Sequence, residues 1–143
     1  MASLFLIAQI AGRAVAIESG QVESVVDIAA VVPVPGAVPQ VRGLAALRSR
    51  VVTVIDTPVA LGLEPSDAGS SRAVITQVDG HHYAILVDTL EDVAPFDLTP
   101  LSPGVVLDAG WRGAGCGVVE RDEELMLAID LRALIPGLQA AAA

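Results

Sequence analysis

The run VRGLAALRSRVVTVIDTPVALGL, residues 41–63, carries the reading of the fold. After Gly43 comes a short apolar segment (44–47), a polar break at Arg48-Ser49-Arg50, and a more β-branched segment (51–55). Val and Ile pack well on a pleated surface, so two such segments joined by a short polar break predict a β-hairpin. Asp56-Thr57-Pro58 then predicts a helix start, because Asp or Thr can satisfy free N–H groups and Pro is pre-set for the first helical position. Val59-Ala60-Leu61 fills one turn and Gly62 ends it.

The same grammar returns near the C-terminus. A shift of 74 lays Gly43 on Gly117, Val51 on Leu125, Ile55 on Ile129 and Asp56 on Asp130 without a gap, giving GVVERDEELMLAID and then LRALI. A shift of 68 lays residues 5–25 on 73–93, also without a gap; Ile7/Ile75, Gln9/Gln77, Gly12/Gly80, Ala16/Ala84, Ile17/Ile85, Glu23/Glu91 and Val25/Val93 are identical. Similarity between apolar strands is common by chance. Two repeats in the same order at nearly the same shift point to two copies of one small β unit.

The 143 residues suit one domain or two small ones sharing an interface. Hydrophobic residues make up 53% and aromatics only 3%, so the core is built from Val, Leu, Ile and Ala. The net charge of −9 argues against nucleic-acid backbones and anionic membranes as partners. All eight basic residues are Arg, and Arg42, Arg48 and Arg50 fall close together, a local basic spot suited to pairing or interfaces. A lone Cys116 excludes an internal disulfide; in Gly-Cys-Gly with no His nearby, it reads as a small strand-end residue. The apolar run 4–10 has no preceding Lys or Arg and matches an internal run, so it reads as a strand rather than a leader. No stretch approaches the ~20 apolar residues that span a bilayer, and a cytoplasmic location is expected.

Along the chain, residues 5–18 and 74–87 read as equivalent hairpins, turning at Ala11-Gly12 and Asp79-Gly80. Residues 22–28 fit a short helix running into a strand or a strand alone. VPVPGAVP (32–39) reads as extended, with residues 95–107 in its place in the second unit. EPSDAGSS (64–71) reads as a linker and residues 139–143 as a frayed tail.

This order resembles the CheW-like coupling domain of bacterial chemotaxis over residues 5–135, on VRGLAALR, VVTVID, ILVDTLEDV, GCGVV and LAIDLRAL. The resemblance implies an all-β fold of two five-stranded SH3-like barrels side by side, with short helices. The two subdomains would span roughly residues 4–70 and 71–138, adjacent or intertwined by exchanged strands. It implies a non-enzymatic adaptor without cofactor, coupling chemoreceptor cytoplasmic tips to the regulatory domain of a CheA-type histidine kinase. The alternative is a divergent CheW-like scaffold for another receptor–kinase array, controlling motility or biofilm formation. Carried over residue by residue, the partner-binding positions are Val22, Ser24, Gly43, Arg48, Val87 and Asp88, and the hairpin around 53–58 is a candidate kinase-facing surface. The family usually has Glu at Ser24 and Gly at Ser49. A Ser24 facing Arg48 would leave that guanidinium free, and Ser49→Gly would relieve a Cβ penalty if the turn needs positive φ there.

Plainer readings stand beside these. Val22 and Val87 fit a core, Arg48 a solvated turn, and Asp88 a turn-capping residue. His81 and His82 are adjacent on a strand, so at most one joins any metal site. Asp27, Asp56, Asp88 and Asp130 have no converging nucleophile or base, and the matching places of Asp56 and Asp130 favour capping over acid–base chemistry.

Overall fold

A computed structural model of the chain describes residues 2–66, 71–101, 107 and 109–136. Its strands in chain order are β1 (Ser3–Ile10), β2 (Arg13–Glu18), β3 (Ser24–Asp27), β4 (Val41–Leu47), β5 (Arg50–Ile55), β6 (Arg72–Val78), β7 (His81–Leu86), β8 (Thr89–Phe96), β9 (Gly115–Arg121) and β10 (Glu124–Ile129). Two short α-helices, α1 (Thr57–Ala60) and α2 (Ala109–Ala114), and 3₁₀ turns at Ser19–Gln21 and Leu131–Leu134 complete the described elements. The ambiguous stretch 22–28 thus resolves as a short strand, β3, with the 3₁₀ turn lying just ahead of it. Residues 102–106 of the expected extended segment, 67–70 of the expected linker and the expected tail at 139–143 lie outside the described residues.

Both repeats survive in the pairing register. β1 pairs β2 with Phe5 opposite Glu18 and Ile10 opposite Arg13; β6 pairs β7 with Ala73 opposite Leu86 and Val78 opposite His81, the same partners shifted by 68. The turns match as well, with Ala11 at φ 52° and Gly12 at 78° against Asp79 at 52° and Gly80 at 81°. Two successive left-handed residues twist a two-residue turn in the sense of the strands it joins. Leu44 faces Thr53 as Val118 faces Leu127, shifted by 74. Even the parallel pairs agree: β5 lays Thr53 beside Tyr83 of β7, and β10 lays Leu127 beside Val15 of β2.

The sheets do not follow the two halves of the chain. One runs β8-β1-β2-β10-β9 and the other β3-β6-β7-β5-β4. Each opening hairpin therefore sits among strands of the other repeat. Neither sheet closes into a ladder-paired barrel: its edge strands meet only through one isolated bridge, Thr99 with Val118 in the first and Val32 with Leu44 in the second. The expected barrels are two curled, open five-stranded sheets.

The opening hairpins β1–β2 and β6–β7 bury both faces over most of their length, which explains why these strands read as apolar runs rather than clean alternations. Inside the first sheet, Phe5, Ile7, Ala16, Met126 and Ala128 form one cluster; inside the second, Val52, Val54, Ile75 and Ala84 form another. The outer faces meet in a larger shared core, where Ile10, Val15 and Ile129 join Ile55, Val74 and Ile85. Unit and unit are stabilised by one interface, as small units require.

Asp56 caps α1, its carboxylate accepting from Val59 N at 3.4 Å, with Pro58 in the first turn and Gly62 at φ 79° ending it, as its sequence predicts. Asp130 caps the equivalent turn by accepting from Arg132 N at 3.0 Å. α2 has no sequence signal of its own, since its AGWRGA carries two glycines. It is held by Trp111, buried at 4% exposure under the Arg13 guanidinium 5.2 Å from its ring centre, and by the close approach of Gly110 to Leu61.

Candidate docking surface

At one end of the second sheet, where its edges part, a groove of about 490 Å³ opens between β3 and the β4–β5 turn. Ser24, Leu47, Arg48, Arg50 and Ile75 line it, so an apolar floor lies under a polar rim. Two of the sequence-derived positions, Ser24 and Arg48, are thus brought to one place. No hydrogen bond joins them, and among the described residues Arg48 makes no ion pair. Arg48 stands at φ 55°, held left-handed by the turn, while Ser49 does not. The positive φ expected for Ser49 therefore belongs to its neighbour.

Glu23, adjacent to Ser24, fills the electrostatic role at this rim. Its Oε2 accepts from Arg50 Nη1 at 3.3 Å, and His82 Nε2 lies 3.3 Å from the same carboxylate. A second depression of about 390 Å³ shares Glu23 and is lined by Val22, Gln21, Thr76 and, from the 3₁₀ turn Leu131–Leu134, Arg132. It lies where elements of the two repeats meet: Gln21 Oε1 accepts from Leu131 N at 2.7 Å. Val22 is half-buried there and packs on the shared core.

The other three positions lie elsewhere. Val87 is 3% exposed within the shared core and offers a partner no area. Gly43 is buried against the chain at Val32, where an added Cβ would come within 2.3 Å of the Val32 carbonyl oxygen. Asp88 is exposed, and its Oδ2 accepts from Gly12 N at 2.9 Å, pinning the β1–β2 turn. The hairpin stretch 53–58 is nearly all interior: Val54, Ile55 and Thr57 are fully buried. The exposed apolar face of that hairpin is instead Leu44 and Val51, continued by Val32 across its bridge. Period-two alternation around Thr53 held this signal, since Val51 and Thr53 share a face opposite to Val52 and Val54.

The basic spot also divides. Arg42 lies at the far end of β4 from the turn, 19% exposed, and donates to Asp56 Oδ2 at 3.1 Å and to the Ser66 carbonyl at 3.0 Å. It braces the fold; only Arg48 and Arg50 face the groove. Cys116 is exposed, and partial burial of its sulfur pushes the thiol pKa up, with the Asp130 and Glu18 carboxylates adding to the shift. Among the described residues, no group of three His, Cys, Asp or Glu side chains could hold a metal, and no helix is long and apolar enough to cross a membrane.

Comparison with solved structures finds the scaffolding protein TtCheW of Thermoanaerobacter tengcongensis at a TM-score of 0.81 and 21% identity, covering 95% of this chain and 94% of that one. At that identity the likeness is one of fold, and the two five-stranded sheets are that fold. No curated protein matches the chain. The CheW-like domain model matches residues 4–139, nearly all of the repeated architecture described above, and the chain belongs to the CheW-like domain family, the scaffold and coupling proteins of chemotaxis.

Proposed function

We propose that this chain is a non-enzymatic adaptor that joins chemoreceptor cytoplasmic tips to the regulatory domain of a CheA-type kinase. The observation that carries the reading is the groove at the end of the second sheet: an apolar floor and an exposed Arg48 that, among the described residues, no acidic side chain neutralises. An amphipathic helix can lay apolar residues on Leu47 and Ile75 while a carboxylate meets Arg48. The neighbouring depression at Val22 and Arg132 extends the same surface across the junction of the repeats. The strip Val32–Leu44–Val51 is a separate apolar face crossing the edge strand β4 and its neighbour β5, suited to a second β domain such as the kinase's regulatory domain.

Reconstitution tests this directly. The chain should be retained by receptor tips and by the kinase domain, Arg48→Glu should weaken receptor retention at least about tenfold, and Val51→Asp should weaken kinase retention instead. If neither partner is retained, or both variants behave as the parent does, the reading fails. Ser24 and Ser49, in place of the family's usual Glu and Gly, favour the second reading, a scaffold for a different receptor–kinase array. It predicts that Ser24→Glu improves retention of chemoreceptor tips.

A further inference from the structure

His82 stands beside the groove on β7, its side chain 17% exposed. Its Nε2 lies 3.3 Å from both Glu23 carboxylate oxygens and within hydrogen-bond reach of Arg50 Nη1. A guanidinium only donates and a carboxylate only accepts. One ring nitrogen cannot serve both: bare, it accepts from Arg50; protonated, it donates to Glu23. Among the described residues, the charged groups that reach this nitrogen are those two, Glu23 from just before β3 and Arg50 from the start of β5. From β6 the residue opposite His82 is uncharged Gln77, with Asp79 in the intervening turn; on β7 itself His81 points to the other face.

We infer that His82 is a proton-operated latch on Arg50. With the ring neutral, its proton resides on Nδ1, and Nε2 holds the Arg50 guanidinium against the wall of the sheet. With the ring protonated, Nε2–H donates to the Glu23 carboxylate and can no longer accept, so Arg50 loses its contact to the ring, is repelled by it, and must share Glu23 with a second cation. Arg50, already on the lining of the groove beside Arg48, is then held there through the shared carboxylate alone and is freer to meet an acidic group of a partner. The consequence for docking rests on the adaptor reading above; the latch is a property of the isolated chain.

The test is nitrogen-detected NMR of the full chain, with exposed His81→Gln to assign the two rings. In its neutral form the His82 ring should carry its proton on Nδ1, against the more usual Nε2 placement. On acidification the Arg50 Nε resonance should move along the same curve as the His82 ring, and in His82→Gln it should stay flat. A neutral ring protonated on Nε2, or an Arg50 resonance indifferent to the ring in the parent chain, overturns the latch. Failure of the docking reading would show separately, as an Arg48→Glu chain that retains its partners while ring and guanidinium still titrate together.

Discussion

The two repeats place a bulge at the same point and fill it with opposite chemistry. In the first, the ladder of β4 and β5 slips between Val41 and Gly43; in the second, that of β9 and β10 slips at the matching place, Gly115 and Ile129. The extra residues are Arg42 and Cys116. A bulge re-aims its side chain, and Arg42 is aimed at Asp56, whose carboxylate also accepts from Ser66 N at 3.1 Å. That carboxylate is 7% exposed and fully engaged. Across the repeat, Asp130 has Cys116 where Asp56 has Arg42, and its charge acts on the thiol instead. Matching backbones thus fix where a side chain is offered, and the side chain alone decides whether that place becomes a brace.

The largest expected effect separates the two bulges. Arg42→Ala leaves a buried carboxylate without its cation and should destabilise the chain by about 3 kcal/mol in denaturant unfolding. Cys116→Ala should change stability by less than about 1 kcal/mol. Comparable losses would mean that Arg42 and Asp56 form a pair of no structural weight. It follows that reversing Arg42, Arg48 and Arg50 together would confound folding with docking, and Arg48→Glu alone is the cleaner probe.

Next in size is a difference just ahead of the bulges, where the first repeat has its proline-rich loop and the second has α2. A Cβ on Gly110 would fall 1.8 Å from the Leu61 carbonyl oxygen, whereas one on Gly113 meets nothing within 4 Å. Gly110→Ala should cost about 2 kcal/mol through forced separation of α2 from α1, and Gly113→Ala should stabilise by up to about 1 kcal/mol through helix propensity. Equal thermal shifts for the two would show that α2 does not rest on Leu61.

The hairpin turns differ more subtly. In the β9–β10 turn Asp122 and Glu123 are both left-handed, at φ 51° and 69°, while the matching β4–β5 turn has only Arg48 so placed. Left-handed strain at a non-glycine residue is of order 1–3 kcal/mol, offset in part by glycine's extra freedom when unfolded. Arg48→Gly should therefore stabilise by about 0.5 kcal/mol while weakening receptor retention. Ser49→Gly, with no such strain to relieve, should not stabilise. A chain made both steadier and less able to dock would mark Arg48 as a functional residue held at a structural cost.

Much of this was legible in the residues. The gapless shifts of 68 and 74 anticipate hairpins, turns, caps and the shared interface, because a period-two pattern carries register with it. The exchange of hairpins between sheets is less visible, since two hairpins of the same pattern fit either sheet and only remote parallel pairs such as Thr53–Tyr83 decide. Nearness in sequence misled for the arginines: Arg42 and Arg48 lie at opposite ends of one strand. Adjacent strand residues point to opposite faces, so nothing in the family's pattern at Ser24 signals Glu23, yet that other direction is where Arg50 and His82 converge.

The smallest effect concerns the second bulge and tests its electrostatics alone. The thiolate is the form that reacts with an alkylating reagent, and the raised Cys116 pKa keeps the sulfur as thiol at about pH 8. Asp130→Asn retains an oxygen to accept from Arg132 N while deleting the charge, so the cap persists and the thiol should ionise more readily. Alkylation under native conditions should quicken about twofold, with unfolding changed by less than about 0.5 kcal/mol. The gain should vanish at high pH, where the thiol is ionised in both chains. The sign of the linked stability is also set: the unfolded chain loses this proton first, so the fold weakens as pH rises through the thiol's range. A rate untouched by Asp130→Asn would leave burial and Glu18 to account for the shift, and Asp130 would then not act on the thiol it faces across the bulge.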